Sequence, residues 1–316
     1  MENAQQTGGS QPNPPPTDPI SPTPPTGNVT PPLGLPVAAI RQLAALGGGL
    51  ARSRFHIMHG QCSDVGLVRN NNEDAILSFF ATQVTAGGPA HFGLFIVADG
   101  AGGHDDGEEA ASTAVRVTAE QINRHIYLPL LDTAALGADS PPLLESLSEA
   151  VRAANRAVMQ DVPGAGTTLT VALLMGDTVY LAHAGDSRAY LIAPHPDTGQ
   201  YGIECLTRDH SVARRLEETG QITAEEAAHH LEKNRLWKIL GRDAELVPDT
   251  SMRALVANSY LLLCSDGLWG VIPESDIPPV ILTSATPQEA CDRLVALANM
   301  NGGPDNISAI VLQITE

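Results

Sequence analysis

The run Gly93-Leu94-Phe95-Ile96-Val97-Ala98 is apolar from end to end and stops abruptly on Asp99-Gly100-Ala101-Gly102-Gly103-His104. A short, wholly apolar run bounded by turn residues reads as a buried strand. A carboxylate at the exit of such a strand, followed at once by glycines, is a poor way to finish an ordinary β-turn. The strand fixes the carboxylate, and Gly100 lets its own carbonyl come close to whatever that carboxylate holds. Oxygen clusters of this sort hold hard cations.

Similar strand-like runs dominate the middle of the chain, at 168–174, 178–183, 189–192, 260–264 and 307–314. Met175-Gly176-Asp177 between two of them reads as a hairpin turn, and so does the turn around Gly185. Helices punctuate the strands. One is expected over 108–126, just past Gly107, with its acidic residues at the N-terminal end as the dipole prefers. Leu144, Leu147, Val151, Ala154 and Val158 recur at helical spacing behind Ser140-Pro141, a cap followed by proline. Thr286-Pro287-Gln288-Glu289 is a capping box that opens a helix carrying Leu294 and Leu297. Strands bunched between helices, with hairpin-length connections, favour antiparallel sheets covered by helices over a parallel βαβ sheet. The expected class is α+β.

Residues 1–36 hold 11 of the 24 prolines and almost nothing apolar. Such a segment cannot offset its ordering entropy by burial, so a disordered proline-rich tail is expected over 1–50, with the folded domain over 51–316. Within that tail, 36–46 has the pattern of a short amphipathic helix. The formal net charge of -18 argues against nucleic acid or an anionic membrane as partner. An anionic substrate stays compatible with that charge if bound cations supply the local positive field. The scattered Cys62, Cys205, Cys264 and Cys291 form no C-x-x-C pair and read as buried reduced thiols. The N-terminus has no basic and apolar leader pattern, and no stretch is apolar enough to span a membrane, so the expected location is the cytoplasm.

Acidic residues recur where strands or turns end beside small residues. They are Glu73 and Asp74 in Asn70-Asn71-Asn72-Glu73-Asp74, Asp99, Asp186 in Gly185-Asp186-Ser187-Arg188, Asp266 in Ser265-Asp266-Gly267, and Asp305 in Gly303-Pro304-Asp305-Asn306. Taken singly each is an ordinary turn residue. Taken together, Asp99 and Asp266 both follow apolar strands and precede glycine, and Asp305 just precedes the last strand. If those strands are neighbours, three carboxylates converge, and converging buried carboxylates need compensation. Oxygen-only ligation without His/Cys spacing points to Mg²⁺ or Mn²⁺ rather than zinc.

From Gly60 to Ile314 the chain resembles the metal-dependent protein phosphatases of the type 2C class. The resemblance runs in order through Ser63-Asp64-Val65-Gly66-Leu67-Val68-Arg69 with Asn72-Glu73-Asp74, then Asp99 to His104 with Gly107-Glu108. Gly166-Thr167-Thr168, Gly185-Asp186-Ser187-Arg188, Ser265-Asp266-Gly267-Leu268-Trp269 and Gly303-Pro304-Asp305-Asn306 follow. The Gly-Gly-His ending of the glycine motif is similar to the bacterial branch.

The resemblance implies a four-layer α/β/β/α sandwich of two antiparallel sheets flanked by helices, with a binuclear Mn²⁺ or Mg²⁺ centre at one edge. By family position Asp99 bridges both metals and the Gly100 carbonyl binds one. Asp266 and Asp305 complete the first site, Glu73 and Asp74 serve the second, and Asp186 holds a third, weaker ion. Arg69 holds the substrate phosphate as a planar bidentate donor. A water between the metals attacks phosphorus, so no nucleophilic Cys or Ser is needed. The implied partners are proteins phosphorylated on Ser or Thr and a cognate Ser/Thr kinase, with the enzyme a monomer.

The sequence departs from the family pattern at Ala101, where eukaryotic relatives have a His proposed as general acid. His104 is the candidate proton donor here, against an alternative in which it bonds the adjacent backbone. The flap-like segment 209–241 has His229-His230-Leu231 where relatives usually have His-Pro. Arg214, Arg215, Arg235 and Lys238 read as solvated helix faces, and Trp237 and Trp269 as packing residues. Two other classes compete. A catalytically silent phosphatase-fold regulator is disfavoured by the joint presence of Arg69, Asp99, Asp266 and Asp305. A helical His-Asp phosphohydrolase, suggested only by His104-Asp105, is disfavoured by the strand-rich middle of the chain.

Overall fold

The computed structural model describes residue 1 and residues 52–85, 88–102, 105–131, 142–228 and 230–316. The tail over 1–50 apart from Met1, the helix at 36–46, the Ser140-Pro141 cap and the candidate His104 lie outside the described residues.

Among the described residues, eleven strands form two sheets. One has the order β1 (His56–Asp64), β11 (Ile307–Thr315), β10 (Ser259–Cys264), β7 (Arg188–Pro194), β8 (Tyr201–Cys205). The other runs β2 (Asp74–Thr85), β3 (Gly88–Ala101), β5 (Leu169–Met175), β6 (Thr178–Ala184), β9 (Asp249–Ala254), with the short β4 (Gly166–Thr167) paired to the end of β3. Every pairing is antiparallel.

The alternation of side chains along each central strand builds the layers. In β3, Phe95 and Val97 join Leu261, Leu263, Ile310 and Leu312 in the core between the two sheets. Ile96 and Ala98 point the other way, onto α1 (Asp105–Ile122) and α2 (Leu143–Asp161), through Ala110, Ala114, Leu147 and Val151. In β10, Leu262 and Cys264 face outward onto α5 (Asp266–Trp269), α6 (Ile277–Leu282) and α7 (Pro287–Met300), through Leu268, Ile277 and Leu294. Burying one such aliphatic side chain is worth about 1.5–3 kcal/mol, so three continuous cores hold four layers together. This is the helix–sheet–sheet–helix order that the resemblance implied. Between β8 and β9 lie the short helices α3 (Val212–Glu218) and α4 (Ala224–Ala228).

The helix expected over 108–126 begins earlier, at Asp105, and after Ile122 passes into a π-helical turn, Asn123–Tyr127. The capping box is present: Thr286 Oγ1 accepts from the Glu289 N–H, while Glu289 Oε2 accepts from the Ala285 N–H. Five strands carried no expectation, namely β1, β2, β4, β8 and β9. The turn at Gly185 is a correction. β6 and β7 do not pair as a hairpin, because the chain leaves one sheet at Ala184 and enters the other at Arg188. Gly185 makes that switch with φ +116°, and a Cβ there would sit 2.5 Å from Thr168 Cβ. The thiol expectation is also corrected in part. Cys264 and Cys291 are buried and all four thiols are free, but Cys62 is half-buried and Cys205, on the solvated β8, is exposed. Among the described residues no helix is long and apolar enough to cross a membrane.

Candidate metal centre

The carboxylates collect at one end of the sandwich because both sheets deliver them there. In the β2–β3 ladder Asp74 stands directly opposite Asp99, and opposed residues share a face with Cβ atoms about 4.5–5.5 Å apart. In the other sheet, β10 ends at Cys264 opposite Ala309, so Asp266 just past β10 and Asp305 just before β11 arrive at the same end. A Cβ on Gly267 would lie 2.0 Å from the Asn306 carbonyl oxygen, so the turn after Asp266 rests directly on the segment after Asp305. Ser265 joins the sheets: its Oγ donates to Asp74 Oδ2 at 2.8 Å and accepts from the Ser308 N–H at 2.9 Å. Thr168 fixes Asp99, taking its N–H on Oγ1 at 2.9 Å and donating its own N–H to Asp99 O at 2.8 Å.

Four of these carboxylates resist ionisation. Burial pushes Asp74 up to about 7, helped by the charges of Asp266 and Asp305, while hydrogen bonds from Ser308 and Ser265 pull it down. Burial also raises Asp266 to about 6, with Asp305 adding to it and a hydrogen bond from Asp99 and the charge of Arg69 opposing it. Asp99 lies well above the usual carboxylate range through burial and then the charges of Asp74, Asp266, Asp186 and Asp305. Asp186 is raised by burial and by Asp266 and Asp209. Buried like charges at this density need protons or cations.

The donor set fits a hard divalent cation. Asp74 Oδ1 is buried and has no hydrogen-bond partner, which is how a ligand oxygen stands before its ion arrives. Among the described residues no three His, Cys, Asp or Glu side chains close into a ready-made cage.

Around this edge, Arg69 is half exposed and its Nη2 donates to Asp305 Oδ2 at 2.8 Å. Glu73 lies against the first turn of α1, since a Cβ on Gly107 would meet Glu73 Oε2 at 2.5 Å. Gly100 is a glycine for a close approach as well: a Cβ there would meet Gly107 O at 2.1 Å and Glu73 O at 2.7 Å. Asp186, 6% exposed, sits at the crossover between the sheets, and its carbonyl accepts from Trp269 Nε1 at 2.9 Å. Arg69, Glu73, Asp74, Asp99, Gly100, Asp266 and Asp305 are thus brought together, with Asp186 beside Asp266.

The sequence reading missed Ser265 and Thr168 as supports, and it missed Arg188. Arg188 grips Asp209 with two bonds and lies 3.6 Å from the Trp269 ring centroid. Arg188, Ser265 and Thr168 lie inside motifs already quoted, which was the available signal. Arg214 sits exposed on α3 as expected, paired with Glu217, but Arg235 and Lys238 lie on no described helix, and Lys238, paired with Asp249, is only 17% exposed. Trp237 departs from the packing expectation, being 42% exposed with one edge on His210. A cavity of about 490 Å³ lined by Tyr201, Ile203, Pro278 and Leu282 contains none of the carboxylates. The chemistry resides in the shallow acidic edge.

The family model described as Protein phosphatase 2C matches residues 69–296. The chain is 32% identical over 264 residues to the serine/threonine phosphatase stp of Listeria monocytogenes, covering 81% of this chain and 96% of that protein. It is 33% identical over 274 residues to the serine/threonine protein phosphatase PstP of Mycobacterium tuberculosis, covering 84% of this chain and 47% of that protein. Among solved structures it is similar to the catalytic domain of PstP in complex with two manganese ions, at TM-score 0.64 and 31% identity, covering 83% of this chain and 100% of that one. The S. agalactiae serine/threonine phosphatase superposes at TM-score 0.67 and 29% identity, covering 83% and 100%.

Proposed function

Because the chain belongs to the protein phosphatase 2C family, we propose that its acidic edge removes phosphate from phosphoserine and phosphothreonine side chains of proteins. It is a metal-dependent serine/threonine phosphatase that works with Mn²⁺, as the manganese-bound relative does, and Mg²⁺ belongs to the same reading. The observation that carries it is the meeting of Asp74, Asp99, Asp266 and Asp305 at one edge, where Arg69 offsets Asp305 and the three buried charges left over cannot stand together uncompensated.

In this reading Asp99 is the carboxylate shared by two cations, since it faces Asp74 in its own sheet and feels Asp266 and Asp305 from the other. The Gly100 carbonyl assists it. Asp266 and Asp305 serve one cation, Glu73 and Asp74 the second, and Asp186 a weaker third. Cations held by these residues would supply an acidified water and offset charge on the phosphoryl oxygens. Arg69 binds the phosphoryl group, exchanging its bond to Asp305 for a planar pair of N–H donors to phosphate oxygens. Ala101 has no proton to give, so the leaving alkoxide takes its proton from another group, and His104 is assigned that role. Residues 51–316 are taken as the catalytic domain behind a proline-rich tail at 1–50. A phosphoprotein hydrolase needs a phosphorylating enzyme upstream, so the opposing activity is a Ser/Thr kinase, and the enzyme acts as a cytoplasmic monomer.

The test is Mn²⁺-dependent hydrolysis of p-nitrophenyl phosphate and of a phosphothreonine peptide by the purified chain. Replacing a residue that only supports a metal ligand costs roughly 10–100-fold, so Asp266→Ala is expected to lose at least about 100-fold. Metal-independent hydrolysis, or full activity in Asp266→Ala, refutes the reading.

A further inference from the structure

Asn306 stands between Asp305 and β11, is 4% exposed, and spends both amide protons and an oxygen lone pair on three separate backbone groups. Its Nδ2 donates to Val65 O at 2.9 Å and to Asn71 O at 2.8 Å, and its Oδ1 accepts from the Glu73 N–H at 2.8 Å. Its backbone N–H donates to Asp305 Oδ1 at 2.9 Å. A single side chain therefore closes both ends of the 65–71 loop, which carries Arg69, and ties that loop to Glu73 and Asp74 at the start of β2.

Arg69 needs such an anchor. Among the described residues its side chain makes one hydrogen bond, to Asp305, the same carboxylate that serves a cation in the proposed reading. Other bonds restrain the loop as well: Asn72 Nδ2 donates to Ser63 Oγ at 2.9 Å and Asn71 Nδ2 to Glu108 Oε2 at 3.1 Å. The Gly66 N–H donates to Asp64 Oδ1 and the Leu67 N–H to Gly303 O, both at 2.8 Å. The last two hold the first half of the loop and the Asn72–Ser63 bond joins its flanks, while Asn306 bonds both of its ends, at Val65 O and Asn71 O. The chemistry requires asparagine. Asp at this position turns two donors into acceptors aimed at two carbonyls, and Ala strands Val65 O, Asn71 O and the Glu73 N–H.

We propose that Asn306 is a positioning residue, which clamps the 65–71 loop so that the Arg69 guanidinium is presented to the phosphoryl group at a fixed place relative to Asp305. The inference rests on the reading of Arg69 as the phosphate-holding residue. Asn306 itself touches no reacting atom.

The test uses the full chain at saturating Mn²⁺, with Asn306→Asp, Asn306→Ala and Arg69→Ala singly and in combination. Inorganic phosphate affinity is measured by calorimetry, and kcat and KM with p-nitrophenyl phosphate. Supports of a binding site typically contribute 10–100-fold, so Asn306→Asp is expected to weaken phosphate and raise KM on that order. In the Arg69→Ala background the same change should add less than about threefold, because the group that Asn306 positions is gone. In metal-free protein, hydrogen exchange of the 65–73 segment should accelerate in the Asn306 variants while β10 and β11 keep their protection. A structural role alone predicts additive losses and general loosening. Additivity, unchanged phosphate affinity, or failure of both Asn306 variants to fold would overturn the proposal. If Arg69→Ala itself leaves phosphate binding intact, the role of Arg69 fails, and the exchange of 65–73 still reads the clamp separately.

Discussion

Replacing Arg188 tests the buried charge network behind Asp186. Arg188 holds Asp209 through Nε to Oδ1 at 2.9 Å and Nη2 to Oδ2 at 2.7 Å. Its Nη1 donates to the Tyr190 hydroxyl at 2.8 Å and to Glu274 Oε1 at 3.1 Å. The guanidinium stacks on Trp269, whose indole N–H holds the Asp186 carbonyl. The Arg188 and Asp209 side chains are 18% and 9% exposed, so Arg188→Met leaves a nearly buried carboxylate without its cation. Removing one half of a buried pair costs about 3–5 kcal/mol, because the survivor is uncompensated. A domain of this size loses roughly 2–4 °C of Tm per kcal/mol, which predicts a drop of roughly 6–20 °C. Arg188→Lys should fall between, since an ammonium cannot make the paired bonds or the stack. The double variant Arg188→Met/Asp209→Leu should recover much of the loss, because neither charge remains. Urea unfolding at pH 7 of wild type, Arg188→Met, Arg188→Lys, Asp209→Leu and the double variant, followed by circular dichroism, gives the cycle. A cost under about 1 kcal/mol, the value of an exposed pair, refutes the reasoning, and so does a double variant as unstable as the sum of the singles.

Burial holds the His183 imidazole down to about 3, with His210 stacked beside it adding to the effect. The unfolded chain takes up a proton near pH 6.5 that the folded state refuses. Stability should therefore fall as the pH drops from about 6.5 towards 3, by about 1.4 kcal/mol per unit for this group. Unfolding of metal-free wild type and His183→Gln at stepped pH should show a shallower acid slope in the variant, and equal slopes exclude His183 as its source. Asp74→Asn removes one of the crowded charges, so the metal-free variant should melt above metal-free wild type at pH 8 while calorimetric Mn²⁺ affinity falls at least about tenfold. Unchanged affinity would take Asp74 out of the ligand set. Chelation should destabilise the Mn²⁺-saturated protein, by about 2.7 kcal/mol per site if free ion stood at 100 times Kd. Stability indifferent to chelator would mean that the ions do not bind the folded edge.

The strands legible in the sequence and those that were not differ in position. β3, β5, β6, β7, β10 and β11 lie inside the sheets, buried on both faces, and show as continuous apolar runs. Of the five unexpected strands, β1, β2, β8 and β9 are the two edges of each sheet, and β4 is a two-residue spur paired to β3. Edge strands face solvent along much of their length, as β8 and β9 do here, so neither unbroken apolarity nor strict alternation marks them. Gly185 misled for a related reason. A tight turn between two strands reads the same locally whether the second strand pairs back or crosses to the other sheet. The carboxylates were legible because Asp-Gly after a buried strand is a local signature. Their supports were not, since Ser265 meets Asp74 across 191 positions of sequence, and which hydroxyl finds which carboxylate is decided by sheet closure.

That division also locates the energetic conflict in the fold. Asp74 and Asp99 belong to one sheet, and Asp266 and Asp305 flank strands of the other. The apolar face of Phe95, Val97, Leu263 and Ile310 pulls the sheets together, while the carboxylates at one end push them apart. The hydroxyl of Ser265 and the amide of Asn306 bridge that end without neutralising it. Cations held by carboxylates of both sheets would supply what the interface lacks, an attraction at the end where the side chains repel. Metal binding should therefore stabilise the interface between the sheets as well as the site, and hydrogen exchange in β3 and β10 should slow together when Mn²⁺ is added. Slowing confined to the turns that carry the carboxylates would mean that the sandwich closes without help from its metals.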